Sequence, residues 1–357
     1  MKIGNYLKIL FFSLFLTVTA SAQHGEESSK EEVHQPEGIR AQIEEVKKHH
    51  LADSHDFILV STKEGKHVGF PLPVIIWDDG LKVFSSSKFH HGEEVAVVGE
   101  NHYKLIHHKI YKSDANGNVT EEHGHPINPV LDFSITRNVV FIIFAGLLLF
   151  LAFRSLAKSY GKNNGIPTGI GRFLEPIVLY IRDEIAIANI GEKHYKKYMP
   201  YLLTVFFFIW LLNLLGLTPL GANVTGNLAV TAALALVTYL ITTFTAKKDY
   251  WKHIFWMPGV PLPMKIVLAP IELMGTIIKP FSLMIRLYAN MFAGHVVLMS
   301  ILGLMFIYKS WIGSPLSFGL AFFLGVLELL VAALQAYVFT MLSALYFASA
   351  SEEHSDH

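Results

Sequence analysis

The chain has 357 residues, 52% hydrophobic and 16% charged, with 29 acids balanced by 29 bases and no cysteine. That composition is too apolar for two ordinary soluble domains, and it excludes a disulfide framework, thiol chemistry and a basic nucleic-acid-binding protein. The neutrality is also uneven, because residues 23–136 carry nineteen acids against eleven bases and residues 137–357 carry sixteen bases against ten acids. An acidic soluble part therefore precedes a basic membrane part.

Residues 1–22 hold two lysines, an apolar stretch at 9–18 and Ala20-Ser21-Ala22, which together read as a cleavable secretory signal. An uncleaved anchor is the alternative, although the stretch is short for a hydrocarbon core of about 30 Å. With a cleaved signal the acidic part is exported. Its first portion, 23–50, is Glu- and His-rich with too few apolar residues to pack, so it is expected to be disordered or loosely helical. Short β-prone runs follow at 57–60, 72–77 and 81–84, broken by Gly and Pro, and they predict a small β-rich exported N-terminal domain within 23–136. Asp78-Asp79-Gly80 is its expected hairpin turn. Thirteen of the eighteen histidines lie between His24 and His125. Metal binding is one reading of them. Without cysteine or zinc-type spacing, a solvated acidic and His-rich surface is the other and the favoured one, and no metal ligands or cofactor are assigned.

From residue 137 to 349 the pattern predicts an all-α polytopic membrane domain, followed by a short tail at 350–357. A first span covers 139–156. Phe173, Leu174, Ile177, Val178, Ile181, Ile185 and Ala188 then recur at helical spacing among charged residues, which reads as an amphipathic helix on the membrane surface. Spans at 199–217 and 224–245 form a hairpin around an uncharged turn. Long apolar stretches at 264–308 and 316–346 would make helices roughly 65 and 45 Å long, beyond the hydrocarbon thickness. They must tilt or break; Pro270 and Pro280 offer kinks, but excess in both partners favours tilt. Lysines and arginines crowd the loops after the first and third spans, while the other two loops hold Lys309 alone. Five spans with the amino end outside and the carboxyl end inside follow from that bias.

Arg286 lies deep within the fourth span, where an ionised guanidinium costs about 2.5–3.5 kcal/mol on insertion scales and so demands a partner. A structural ion pair or a snorkelling side chain is the plain reading. Glu272, fourteen positions away, is about 21 Å along a helix and cannot be the local partner. Two antiparallel helices pair positions of constant sum, so if Glu328 meets His295, Arg286 faces the level of Tyr337, with Gln335 within a turn. Two polar layers result: His295 with Glu328, and Arg286 with Gln335. Because the second holds no carboxylate, the counter-charge of Arg286 is expected from another chain. His295 and Glu328 together suit proton passage, although each can also be a hydrogen-bonded packing residue. Glu272 can serve an inner aqueous path or simply sit at the interface.

The run Ser282-Leu283-Met284-Ile285-Arg286-Leu287-Tyr288-Ala289-Asn290-Met291-Phe292-Ala293-Gly294-His295 resembles the signature of subunit a of rotary F-type ATP synthases. The resemblance continues through Glu328 and Gln335, the carboxyl-terminal Ala350-Ser351-Glu352-Glu353-His354 and the order of spans, from about Asp132 to the end. It implies a non-catalytic, proton-conducting stator in a bacterial inner membrane, with the amino-terminal domain periplasmic and the carboxyl end cytoplasmic. Its implied partners are a c-subunit ring, a b-subunit peripheral stalk, other synthase subunits and lipid. Arg286 would face the ring carboxylate, Asn290, His295, Glu328 and Gln335 would line the outer half-channel, and Glu272 the inner one. Some family members carry Glu in the fourth span and His in the last; this chain has the reverse. Its long exported domain exceeds the short family pattern.

Two other classes compete. A self-contained transporter would be expected to show an internal repeat, and none is found in the sequence. A signalling or assembly protein would leave the polar layers unexplained. An enzyme is disfavoured by the lack of a phosphate-binding glycine loop with Lys and Ser/Thr.

Overall fold

The computed structural model describes residues 53–61, 67–92, 94–106, 109–122, 125–127, 129–162, 166–218, 223–257, 260–307 and 313–351. The expected signal segment, the polar stretch 23–50, His49-His50, His107-His108, Lys309 and residues 352–357 lie outside the described residues.

The β-rich region is all antiparallel. Strands β1 (Asp56–Ser61) and β2 (His67–Pro71) pair, and β3 (Pro73–Trp77) pairs with β4 (Leu81–Ser85) across the expected turn. Asp79 and Gly80 there adopt φ of 51° and 128°, the left-handed conformations that Asp tolerates and Gly favours. The sequence reading missed β5 (Ala96–Val98), β6 (Asn101–Ile106) and β7 (Lys109–Ser113), which form a second sheet. Their Lys and His residues alternate with few apolar ones, so the inward face rests on residues such as Tyr103 and Ile110. Two short strands, β8 (Glu121–Glu122) and β9 (His125–Pro126), pair with each other, and β10 (Leu131–Asp132) adds to β3. Val74, Ile76, Phe84, Phe89, Ala96, Tyr103 and Ile110 make the core.

Helix α1 (Arg137–Lys162) is started by residues far away in sequence. Ser54 accepts from the Arg137 N–H at 2.9 Å, and the Asp53 carboxylate accepts from the Asn138 N–H at 3.1 Å. Phe57 stacks on both Phe70 (4.6 Å) and Phe141 (5.5 Å), so the β domain is moored to the first turns of the span. The surface helix α2 (Ile170–Tyr180) continues through π-helical turns at Ile181–Ile187 to Ala188–Ile190. Leu174, Ile181 and Ile185 are buried as expected and the wider turns add Ala186 and Ile190, whereas Phe173 and Ala188, expected on the apolar line, are exposed.

The hairpin consists of α3 (Tyr195–Gly216) and α4 (Leu228–Thr245). Helix α4 starts four residues later than the apolar pattern predicts, because the Asn227 side chain caps it by accepting from the Ala229 N–H at 2.9 Å. A short amphipathic helix, α5 (Lys248–Phe255), leads to α6 (Leu262–Ile307) and α7 (Gly313–Ser351). Helix α6 is one helix of 46 residues with Pro270 and Pro280 inside it, and α7 has 39 residues. At about 1.5 Å per residue they are roughly 69 and 58 Å long, so they must lie strongly inclined to cross a bilayer. Among the described residues five helices, α1, α3, α4, α6 and α7, are long and apolar enough to span. Their shared core includes Leu202, Val205 and Ile209 of α3, Leu283 and Leu287 of α6, and Ala336, Phe339 and Phe347 of α7.

Candidate functional site

Helix α6 buries Leu283, Leu287, Met291 and His295, one residue per turn along a single line. That line seats His295 against α7, where its Nδ1 lies 2.8 Å from Glu328 Oε1. Both residues are buried, at 5% and 7% exposure. The approach is close but bent, and neither atom completes a well-aligned hydrogen bond. On its other side the imidazole Nε2 donates to the Gly216 carbonyl at 3.2 Å. Gly216 is the last residue of α3, whose final carbonyls have no partner within the helix. Because Nε2 must carry a proton for that bond, a neutral ring turns the bare Nδ1 lone pair toward Glu328. Nδ1 and Oε1 thus face each other across a gap that a proton can bridge.

Space for this contact comes from Gly294. A Cβ there would lie 2.9 Å from Glu328 Oε1 and 3.3 Å from its Cδ. Nothing in the sequence pattern marks that requirement, since the close approach exists only across two helices.

One turn along, Asn290 Nδ2 donates to Gln335 Oε1 at 2.6 Å. Gln335 is 2% exposed and its Nε2 has no partner. The expected layer of Arg286 with Gln335 is thus corrected: the amide of Asn290 occupies Gln335, and Arg286 makes no hydrogen bond or ion pair among the described residues. Arg286 is exposed, on the same α6 face as the exposed Ser282, Ala289 and Ala293. The register itself holds, with Asn290 against Gln335, His295 against Glu328, and Tyr346 Oη donating to the Lys279 carbonyl at 3.3 Å.

Further polar groups run from this layer toward the β-domain end. Asn213 Nδ2 donates to the Ala332 carbonyl (3.3 Å), and its Oδ1 accepts from Thr225 Oγ1 (2.7 Å). Asn223, 4% exposed, has both amide atoms unpartnered and lies so close to Gly226 that any Cβ there would collide with it. Asn213 was visible in advance as a polar residue in an apolar span; Asn223 in a Gly-rich turn was not.

Glu272 belongs to the opposite end and is brought to none of these residues. It lines a cavity of about 130 Å³ with Asp249, Tyr250, His253, Lys279 and Ser349. Helix α5 supplies Asp249 and His253, which the sequence reading passed over. A neighbouring cavity shares Tyr250, Lys279 and Ser349 and adds Thr242, Thr276 and Tyr346. No group of three or more metal-ligand side chains occurs among the described residues.

Five apolar helices among the described residues, a buried His–Glu pair between two of them and an exposed guanidinium on the same long helix define a multi-pass membrane protein with a polar layer inside its bundle. The family described as ATP synthase A chain matches residues 139–348. The chain is 44% identical over 232 residues to ATP synthase subunit a of Chloroherpeton thalassium, covering 63% of this chain and 69% of that one. It is 42% identical over 265 residues to the subunit a of Chlorobium phaeobacteroides strain BS1, covering 70% and 77%. For the Myxococcus xanthus subunit a the identity is 43% over 249 residues, covering 66% and 81%. The chain belongs to the ATP synthase subunit a family and is a proton-translocating component of the synthase's membrane sector. Residues 46–133 match a separate family described as a domain of unknown function.

Proposed function

We propose that this chain is the non-catalytic stator that offers two offset half-channels to the carboxylates of a rotating c-subunit ring and turns proton flow into rotation. The observation that carries the reading is Arg286, an exposed guanidinium with no partner among the described residues, one helical turn from Asn290 and close in register to the His295–Glu328 pair. A charge on an oily face is costly unless an opposite charge comes to it, and the ring carboxylate supplies one. That carboxylate can face lipid only when neutral. Arg286 favours its ionised form and strips the proton, while a guanidinium that never releases its own proton cannot connect the two channels.

Asn290, His295, Glu328 and Gln335 line the outer half-channel in this reading, joined by Asn213, Thr225 and Asn223. Orphaned amide and carboxyl atoms support it, since an unsatisfied polar atom in hydrocarbon costs several kcal/mol and water relieves that cost. Glu272 serves the inner half-channel through the cavity with Asp249, His253 and Lys279. Each proton that crosses gains about 2.3 kcal/mol per 100 mV. Loop lysines and arginines support a cytoplasmic carboxyl end and a periplasmic β domain in a bacterial inner membrane, and the b-subunit stalk holds the stator against torque. ATP chemistry belongs to partner subunits.

Arg286→Ala tests this directly. Assembled complexes should lose ATP-driven proton pumping and coupled synthesis completely, and normal pumping by such complexes would remove the arginine from the mechanism.

A further inference from the structure

The sheet β10-β3-β4 covers the domain core with one face, through Val74, Ile76 and Phe84. Its other face is apolar as well. Trp77, Leu81 and Leu131 form one cross-strand row and are 55, 62 and 63% exposed. In the next row Ile75 stands opposite Val83, and the Phe133 N–H donates to the Ile75 carbonyl at 2.8 Å, which sets Phe133 beside them. Val83 and Phe133 are 60 and 65% exposed. Neither row contains a charged residue, whereas the solvated face of an antiparallel sheet is normally polar. A contiguous apolar patch of this kind marks a contact site.

Its occupant follows from where the sheet is moored. Phe70 leads into β3 and reaches the first turns of α1 through the Phe57 stack on Phe141. Pairing with β3 continues to Ile135, whose N–H donates to the Pro73 carbonyl at 3.2 Å, two residues before Arg137. Beyond that point α1 exposes Ile143, Phe144, Leu147, Phe150 and Leu151, so the sheet stands at the end of a spanning helix whose own surface is apolar. From Phe70 to Ile75 is five residues and to Trp77 seven, at most about 17 and 23 Å in a strand. A headgroup layer extends about 5–7 Å beyond the hydrocarbon on each side. Laid along the interface rather than upright from it, the sheet brings both rows to the headgroup layer, where indole rings are favoured. The far end of the hairpin carries Asp78 and Asp79, the latter 89% exposed, so the charge stays in water.

We propose that this face lies on the bilayer interface beside α1, with lipid headgroups and upper acyl carbons as its occupant, and that the domain of unknown function is a lipid-seated anchor. The inference rests on the membrane placement of α1 and not on the conduction reading. Because the face is uncharged, seating should not depend on anionic lipid.

The absence of native cysteine permits single labels. Val83→Cys, Leu81→Cys and Leu131→Cys would each be spin-labelled in the assembled synthase, with other subunits cysteine-free, in phosphatidylcholine nanodiscs. Phe144→Cys gives the bilayer reference and Asp114→Cys the water reference. Collision with oxygen should exceed collision with a nickel chelate at all three sites, and adding anionic lipid or salt should not change it. Chelate access equal to that at residue 114 would overturn the proposal. So would protection from both reagents, which would mean that protein covers the face; three sites on two strands keep the result independent of any one variant.

Discussion

Replacing Gly294 by alanine tests the polar pair without removing either member. The added carbon would sit 2.9 Å from Glu328 Oε1. Ordinary contact needs roughly 0.5 Å more, and the carboxylate is the softer of the two neighbours because it ends a flexible chain whereas Gly294 is fixed in α6. The carboxylate is therefore expected to swing away, and its 2.8 Å approach to His295 is lost. A buried polar contact broken on one side costs about 1–3 kcal/mol. Carried into the barrier for proton transfer, that is a slowing of about 5- to 150-fold. ATP-driven acidification of inverted vesicles measures it, with immunodetection of the subunit to confirm assembly. Glu328→Asp in the same chain withdraws the carboxylate by one methylene and should restore part of the rate. Wild-type pumping by Gly294→Ala would show that the contact is not on the conducted path.

Three other outcomes are expected. Exchanging the pair, His295→Glu with Glu328→His, should retain more proton transport than either single change, since the couple survives with its places reversed; an equal or lower rate contradicts the pairing. Phe57→Ala removes the ring between Phe70 and Phe141 and should loosen the β domain by about 2–3 kcal/mol, read as faster proteolysis between the domain and α1. The Tyr103 hydroxyl donates to Asp78 and, with Lys112, holds that carboxyl below its ordinary range against the opposing effect of burial. A lowered folded value means the stabilisation is present above the unfolded value of about 3.9 and fades as pH falls through the folded one. Hydrogen exchange in β3–β4 should therefore rise at acid pH, and Asp78→Asn should flatten that rise.

Much of the bundle was legible in the sequence because oil leaves one economical solution, a helix with its own hydrogen bonds satisfied. Span number and the antiparallel register of α6 and α7 followed from apolar run length and constant rise. What escaped depended on contacts across space. Asn227 moved the start of α4, and the wide turns of α2 widened its buried line, because capping and winding override an average period. Strands β6 and β7 were hidden by lysines and a histidine that interrupt their apolar residues, and β5 by its length of three residues. Gly294 and Gly216 carry no side chain to attract notice, yet one makes room for Glu328 and the other fixes the protonated nitrogen of His295. Arg286 was recognised as needing a partner, but its exposure on the bundle surface required the fold.

Satisfied and unsatisfied polar groups divide the membrane domain along one line. Thr242, Thr340 and Ser343 donate their hydroxyls to carbonyls one turn back, and Thr238 does the same while also pairing with the Tyr201 hydroxyl at 2.6 Å, so their donors are satisfied within the bundle. Asn223, Glu328, His295 and Gln335 keep buried atoms open, and all four lie between the α3–α4 turn and the level of Arg286. In hydrocarbon each open atom is a cost without return unless water or a proton visits it. Random imperfection would scatter such atoms through the bundle; their alignment toward Arg286 is what a route for protons requires. Apolar replacement of Gln335, for example Gln335→Leu, also removes the acceptor of the Asn290 amide, and should slow transport while thermal unfolding still shows a folded bundle. A variant that pumped normally would mean the open amide serves packing and the route runs elsewhere.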